Sequence, residues 1–378
     1  MPHLSASASI KIQGACLFLA FFAAELIAFK YYGGIFISHF SSAYFSMPSD
    51  FRCFWVNGAL TTHQLQPSAL AAGNVSPFMY PPPFLLIAVP LSLLPPLFSY
   101  ILWLVITNAS LALAGRLVKL PWTAIGLGIM SPPNLYSIAI GQTGSLISSF
   151  LLLGFGLART NPLAAGIAAS LLIIKPQFFI LAPICFLASR NWLALSAFMA
   201  SAVLVCALPA ILFGLSVWPH FLFSQTETAR TVLNEPWPQP YQHIMISTFI
   251  MLRSLGAGLA ASYAVQFAVT IAATAMAIRL WLPNGAADNN TKLAATLCLA
   301  VLATPYGYIY DLPGLALVLA GCALQPKLQA AFPCAMFWLV ASLYILLSMT
   351  SFVCGAVFIL LLAVYFYRHG TNHNHMAA

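Results

Sequence analysis

Charge is what this sequence has least of. Its 378 residues hold 6 acidic and 14 basic side chains, so charged residues make up 5% of the chain, where a soluble domain carries about 25%. That scarcity, with 61% hydrophobic residues and a mean hydropathy of +0.93, excludes a soluble globular protein. The net charge of +8 does not indicate a nucleic-acid partner, because the basic residues stand singly between apolar runs, where they act as topology signals. Eight cysteines, at 16, 53, 185, 206, 298, 322, 334 and 354, show no CxxC or CxxH spacing and lie mostly inside apolar runs. That excludes a disulfide framework and gives no metal-ligating set. No phosphate-binding GxxxxGK[ST] loop, dinucleotide fingerprint, HExxH or nucleophile elbow occurs, so nothing points to ATP-driven or metalloprotease chemistry or to a resident cofactor. Internal repeats and heptad arrays are absent too.

What is present is one apolar run after another. The first, from Gly14 to about Ile37, is too long for a signal-peptide core and reads as a retained span. The run from Pro81 to Leu117 is broken by Pro95-Pro96 into a short outer helix and a full span. Further runs lie near 121–136, 143–158, 162–174, 176–189, 191–213, 258–282, 292–304, 311–324, 328–347 and 350–367. Since a crossing takes about 20 apolar residues, the expectation is an all-α integral membrane protein. It forms a single domain over residues 1–378, with about 10–12 transmembrane helices and long outer loops at about 38–81 and 214–257. The tail "RHGTNHNHMAA", with His369, His373 and His375, reads as a short disordered end.

Lysine and arginine set the orientation. With a cytoplasmic N-terminus, Lys11, Arg116, Lys119, Arg159, Arg190, Arg279, Lys292, Lys327 and Arg368 fall inside, nine of the 14 basic residues. This requires 162–189 to be a pair of short helices turning at Lys175-Pro176. Both termini are then cytoplasmic. Asp50, Glu227, Glu235 and Asp311 come to the outer side, and Lys30, Arg52, Lys175, Arg230 and Arg253 lie near it. Asp288 is inside and Glu25 within the first span.

Charges kept at membrane depth tend to be paired or functional, and four stretches stand out. In "SMPSDFRCFWVNGAL" (46–60), Asp50 and Arg52 precede Trp55. Capping of an interfacial helix by Ser49 or Asp50, with Trp55 as interfacial anchor, explains the stretch as well as chemistry does. "PFMYPPPF" (77–84) reads as a stiff entry loop with Tyr80 in the headgroup zone. "IGQTGS" (140–145) and "LLIIKPQFF" (171–179) put Gln142, Lys175 and Gln177 where apolar residues would cost less. Lys175 is too deep in its run for easy snorkelling and calls for a buried partner such as a phosphate. "ATPYGYIYDLPG" (303–314) sets Tyr306, Tyr308 and Tyr310 ahead of Asp311. For the tyrosines an interfacial belt competes with ligand contact. Asp311 could orient an acceptor, share a base role or pair with an outer arginine, and pairing is preferred.

The order of these motifs carries more than any one of them. "DF" at Asp50, "YPP" at Tyr80, "PLSLLP" at 90–95, "GQ" at Gly141, "AGIAASLLIIKPQ" at 165–177 and "SRNWLAL" at 189–195 together resemble glycosyltransferase family 87. The resemblance runs from about Asp50 to Leu195, and "ATPYGYIYD" is similar to a later outer-loop motif of that family. Many members carry a tryptophan and histidines in that later motif, where this chain has Tyr308, Tyr310 and Asp311.

The resemblance implies a GT-C type fold in the cell (inner or plasma) membrane, with the active site facing the periplasm or exterior. It also implies inverting transfer of a sugar, mannose or another hexose, from a polyprenyl-phosphate donor to a lipid or glycan acceptor hydroxyl. Asp50 would be the general base. Displacing a lipid phosphate also needs cations, for which Lys175, Arg52, Arg230 and Arg253 are candidates. Trp55, Gln142, Gln177, the three tyrosines and Asp311 are candidates for sugar or acceptor contact. The rival reading, a secondary transporter or lipid-carrier flippase, would place paired repeats and broken helices at the bilayer midplane.

Overall fold

The computed structural model describes residues 6–40, 45–62, 77–283, 288–325, 330–350 and 353–372. Lys327, His373 and His375 lie outside them. The chain is helical, and among the described residues the only β-type pairing is an isolated bridge between Met245 and Tyr308. The all-α, multi-spanning architecture expected from the sequence is the one observed.

Prolines set most of the element boundaries. After α1 (Ala6–Ser38) and α2 (Ser49–Thr61), the run from Pro81 divides into α3 (Leu85–Ser92) and α4 (Pro96–Leu117) at Pro95-Pro96. The run near 121–136, expected as one span, is two short helices, α5 (Trp122–Ile129) and α6 (Pro132–Ile140). Pro132 and Pro133 cannot donate backbone hydrogen bonds, and they force a new helix start. α7 (Gly144–Gly156) and α8 (Pro162–Ser170) follow. A 3-10 turn over Leu171–Ile174 then leads to Lys175, a four-residue turn (Pro176–Phe179) and α9 (Leu181–Ala188). This is the pair of short helices that the charge pattern requires.

The second half runs through α10 (Trp192–Phe213), α11 (Thr226–Asn234), α12 (Thr248–Ser254), α13 (Leu259–Trp281), α14 (Asn289–Leu302), α15 (Pro313–Ala323), α16 (Ala331–Thr350) and α17 (Gly355–Asn372).

Long helices form the rim and short ones the centre. Among the described residues, five helices are long and apolar enough to cross a membrane: Phe21–Ser38, Pro96–Leu117, Trp192–Phe213, Leu259–Trp281 and Ala331–Met349. In α10 and α13 only 22% of the span is buried, so most of their surface faces outward, where lipid would solvate it. By contrast, every residue of α14 from Leu293 to Leu302 and of α15 from Pro313 to Cys322 is buried.

An 11-residue helix such as α15 is about 16 Å long, half the hydrocarbon thickness. The chain before it is irregular over 304–308 and makes one 3-10 turn over Ile309–Asp311. Such backbone is tolerated at depth only inside protein or around a cavity, and the long helices provide that shield. Small residues bring the inner helices close, as lipid-solvated helix packing demands. α8 presents Gly166 to Ala194 and Ala197 of α10 and Ala169 to Gly154 of α7.

Candidate active site

Two glycines bring the site together. Gly141 ends α6 with a left-handed φ of 74°, which an L side chain rarely adopts, and a Cβ there would press on Phe51 of α2. Gly144 opens α7 against the carbonyl of Tyr310, where a Cβ would overlap that oxygen. The start of α2, the Gly141–Thr143 turn and the loop ahead of α15 therefore converge. With the break at Lys175-Pro176 and the segment from Phe221 to Ile244, they enclose a cavity of about 750 Å³.

Asp50, Gln142, Lys175, Gln177, Tyr306, Tyr308 and Tyr310 all line it. Gln142 and Lys175 act on Asp50 within it, and Met79, Ile174, Phe221, Val232 and Ile244 supply apolar lining. A cavity of this size with convergent polar groups is the expected form of a ligand site.

Asp50 stands in the first turn of α2, but the N-cap position is Pro48 and no side chain caps the helix. Capping therefore does not account for the carboxylate. Buried among protein atoms yet open to the cavity, its carboxyl is pushed by burial up to about 6, against the Gln142 amide and the Lys175 charge, which lower it. At pH 7 the carboxylate outnumbers the acid form about tenfold, the protonation state a general base needs.

The orientation of Gln142 is fixed by its neighbours. Its Oε1 accepts from Tyr80 Oη at 3.0 Å, from the Thr143 amide at 3.0 Å and from Thr143 Oγ1 at 3.4 Å. The amide NH2, a pure donor, is left for Asp50.

Lys175 is 5% exposed, and its Nζ donates to Asp311 Oδ1 at 2.5 Å. The partner of Asp311 is thus this lysine and not an outer arginine. Asp311 Oδ2 accepts the Tyr308 amide at 3.3 Å. Burial raises the Asp311 carboxyl, and the Lys175 charge and hydrogen bond work against that rise. Lys175 Nζ also lies 4.6 Å from the centroid of the Tyr310 ring, a cation–π distance. Tyr308 and Tyr310 stack at 4.9 Å and 7°. An ammonium has three donors, so one serves Asp311 and the others remain for a ligand in the cavity.

The other candidates are not brought to the cavity. Arg52 Nη2 donates to the Met47 carbonyl at 3.4 Å. Trp55 Nε1 donates to the Leu94 carbonyl at 3.0 Å, tying α2 to the turn after α3. Arg230 lies on the outer face of α11, 3.8 Å from Glu227, with both side chains more than 60% exposed. Arg253 Nη1 donates to the Ala257 carbonyl at 3.0 Å and closes the end of α12.

Polar residues not singled out for a ligand also line the cavity, Tyr80 and Glu235 among them. Tyr80 holds Gln142, and Glu235 accepts from Tyr241 Oη at 2.9 Å. The scarcity of acid was the available signal for Glu235, since each of six carboxylates in such a chain merits a partner.

Among the described residues, no group of three or more His, Cys, Asp or Glu comes together. The cavity brings together the Asp50 carboxylate, an ammonium paired to an acid, a stacked tyrosine pair and apolar side chains. Compared with known proteins, the chain matches the model of Glycosyltransferase family 87 over residues 78–305, more than half its length. No curated protein and no solved structure matches it. The matched region includes Tyr80, Gln142 and Lys175 and stops short of Asp50 on one side and of Tyr306–Asp311 on the other.

Proposed function

This chain belongs to glycosyltransferase family 87, and from that premise we propose that it moves a sugar from a polyprenyl-phosphate donor to an acceptor hydroxyl, with Asp50 as general base. The membership makes it a membrane glycosyltransferase; the donor, the inverting course and the residue roles are our reading.

The observation that carries this reading is the Asp50 carboxylate in a 750 Å³ cavity that also holds Gln142 and Lys175 and is lined by many apolar side chains. An amphiphilic donor fits such a space. Its phosphate and sugar lie by Lys175 and Asp50 and its first prenyl units against Met79, Ile174 and Phe221. A donor already anchored in lipid also accords with the lack of any nucleotide-binding motif.

In the proposed step, the acceptor oxygen attacks the anomeric carbon from the side opposite the phosphate. Its proton passes to Asp50, the new C–O bond forms, the bond from carbon to phosphate oxygen breaks, and lipid phosphate departs with the electron pair. Lys175 supplies hydrogen bonds to that phosphate where charge develops, while Asp311 holds the ammonium in place. Tyr308 and Tyr310 remain neutral, because burial raises their phenols above the ordinary value, and they give the sugar a flat wall. The acceptor in this reading is a glycolipid or glycan, and the lysine and arginine pattern supports a cavity on the periplasmic or outer side.

The test is reconstitution of the protein in liposomes with a polyprenyl-phosphate hexose and membrane glycolipids, with products followed by mass spectrometry. Asp50→Asn is expected to keep donor binding and to lose about 10²–10⁴-fold in transfer. Normal turnover in that variant removes Asp50 from the mechanism. Movement of the donor lipid across the bilayer without any glycosidic product would favour a flippase instead.

A further inference from the structure

α8 and α14 each run from the cavity to a second concavity. α8 begins beside Arg159 and leads through the 3-10 turn to Lys175; α14 begins three residues before Lys292 and leads to the Thr304–Asp311 loop. At about 1.5 Å per residue, the two sites stand roughly 20 Å apart at opposite ends of the same helices.

The second concavity, about 360 Å³, is lined by Arg159, Arg190 and Lys292, with Ser189, Asn191 and Trp281. Lys292 Nζ is 4.1 Å from the Trp281 ring centroid. The uncharged polar groups are already engaged. Ser189 Oγ donates to the Cys185 carbonyl at 2.9 Å, and Asn191 Nδ2 donates to the Ala158 carbonyl at 2.6 Å.

Among the described residues, no carboxylate answers the three cations. The chain has six acidic side chains, and each is accounted for elsewhere. Glu25 accepts from Trp338, Glu227 pairs with Arg230, Glu235 accepts from Tyr241 and Asp311 pairs with Lys175. Asp50 lines the cavity. Asp288, the one closest in sequence to Lys292, caps α14 through the Asn290 and Thr291 amides. Three positive charges around one hollow repel each other unless an anion sits among them.

The hollow also lies at membrane-boundary height. The span Trp192–Phe213 begins at its rim, the span Leu259–Trp281 ends at it, and Trp192 is 61% exposed beside it, as tryptophan is at the headgroup level. α8 and α10 both start here, capped by Asn161 and Asn191, so the positive ends of two helix dipoles add to the field.

From these observations we propose that the Arg159–Arg190–Lys292 hollow binds the headgroup of an anionic phospholipid. Its phosphate lies among the three cations and its acyl chains along the outward faces of α10 and α13. Basic hollows between helix ends at the membrane surface have the charge and location for this.

The experiment uses the full-length protein in detergent, with bound lipid counted by native mass spectrometry. Phosphatidylglycerol and phosphatidylcholine are supplied in parallel, with inorganic phosphate as competitor. Phosphatidylglycerol is expected to bind and phosphatidylcholine not, with affinity falling about fivefold for each cation removed in the series Lys292→Gln, Arg190→Gln and Arg159→Gln. The charge-preserving pair Arg190→Lys and Lys292→Arg is expected to retain binding, which separates charge from folding. A rise in Tm with phosphatidylglycerol that is present in the wild type and lost in the Gln variants is an independent readout. Equal retention of both lipids, or unchanged phosphatidylglycerol binding in the triple Gln variant, overturns the proposal. Displacement of the lipid by millimolar phosphate also overturns it, in favour of a free-phosphate site.

Discussion

The two ends of α8 and α14 treat charge in opposite ways. At the cavity end, the ammonium of Lys175 is buried and meets Asp311 at 2.5 Å, over a tyrosine ring. At the other end, Arg159, Arg190 and Lys292 share a hollow with no acid among the described residues. Depth explains the difference. A charge enclosed by protein loses its hydration and must find a counter-charge or forfeit several kcal/mol. A charge at the membrane boundary keeps contact with water or headgroups and needs none from the chain. A partner built into the protein marks the enclosed site, and its absence marks the surface that recruits one from outside.

The same substitution at both ends tests this contrast most severely. Lys175→Met leaves Asp311 enclosed without its cation and is expected to lower stability by about 3–5 kcal/mol. Lys292→Met, at the boundary, should cost no more than about 1 kcal/mol. Thermal unfolding in detergent compares them directly. Lys175→Met with Asp311→Leu is expected to recover much of the loss, because it removes the stranded carboxylate along with its partner. Equal losses at the two lysines would erase the distinction between the ends.

A smaller effect sharpens the cavity side alone. In the proposed role Asp50 can take a proton only when ionised, so on that reading transfer is expected to rise with pH through about 6, the position to which burial brings that carboxyl. The Gln142 amide lowers it. Gln142→Leu therefore moves the acidic limb upward, by about one unit if it removes one hydrogen bond to the carboxylate. The loss of rate is then about tenfold at pH 5 and slight at pH 8. A pH profile superimposable on the wild type would show that Gln142 does not act on Asp50.

Much of this was legible from composition and motif order: helices throughout, breaks at Pro95-Pro96 and Lys175-Pro176, and a series of polar motifs belonging to one site. The pairings were not. Lys175 and Asp311 are 136 residues apart and Tyr80 and Gln142 are 62 apart. No local pattern states such a contact; it depends on how α7 and α8 carry their ends together. The stiff-loop reading of Tyr80 says nothing of its partners: its ring stacks on Phe84 at 4.4 Å and its hydroxyl donates to Gln142. Arg52 and Trp55 show a different failure. They share a stretch with Asp50, and proximity along the chain suggested a shared site. Once 49–61 is a helix, residues i, i+3 and i+4 share a face and i+2 does not. Asp50, Cys53 and Phe54 therefore line the cavity, while Arg52 and Trp55 turn away from it.

That periodicity supports the mildest prediction. Trp55→Phe removes the 3.0 Å bond to the Leu94 carbonyl and keeps a ring against α3, so stability should fall by about 1 kcal/mol. Transfer and donor affinity should stay within about twofold, the range of ordinary surface substitutions. Arg52→Ala loses a long bond to the Met47 carbonyl and should behave likewise. Phe54→Ala, one position from Trp55, opens the cavity wall beside Tyr80, whose ring centroid is 5.2 Å away, and should impair transfer more than either. If Arg52→Ala instead raised the KM for the lipid-phosphate donor tenfold, the cation on the far side of α2 would have to reach the ligand, and α2 would have to rotate when the donor binds.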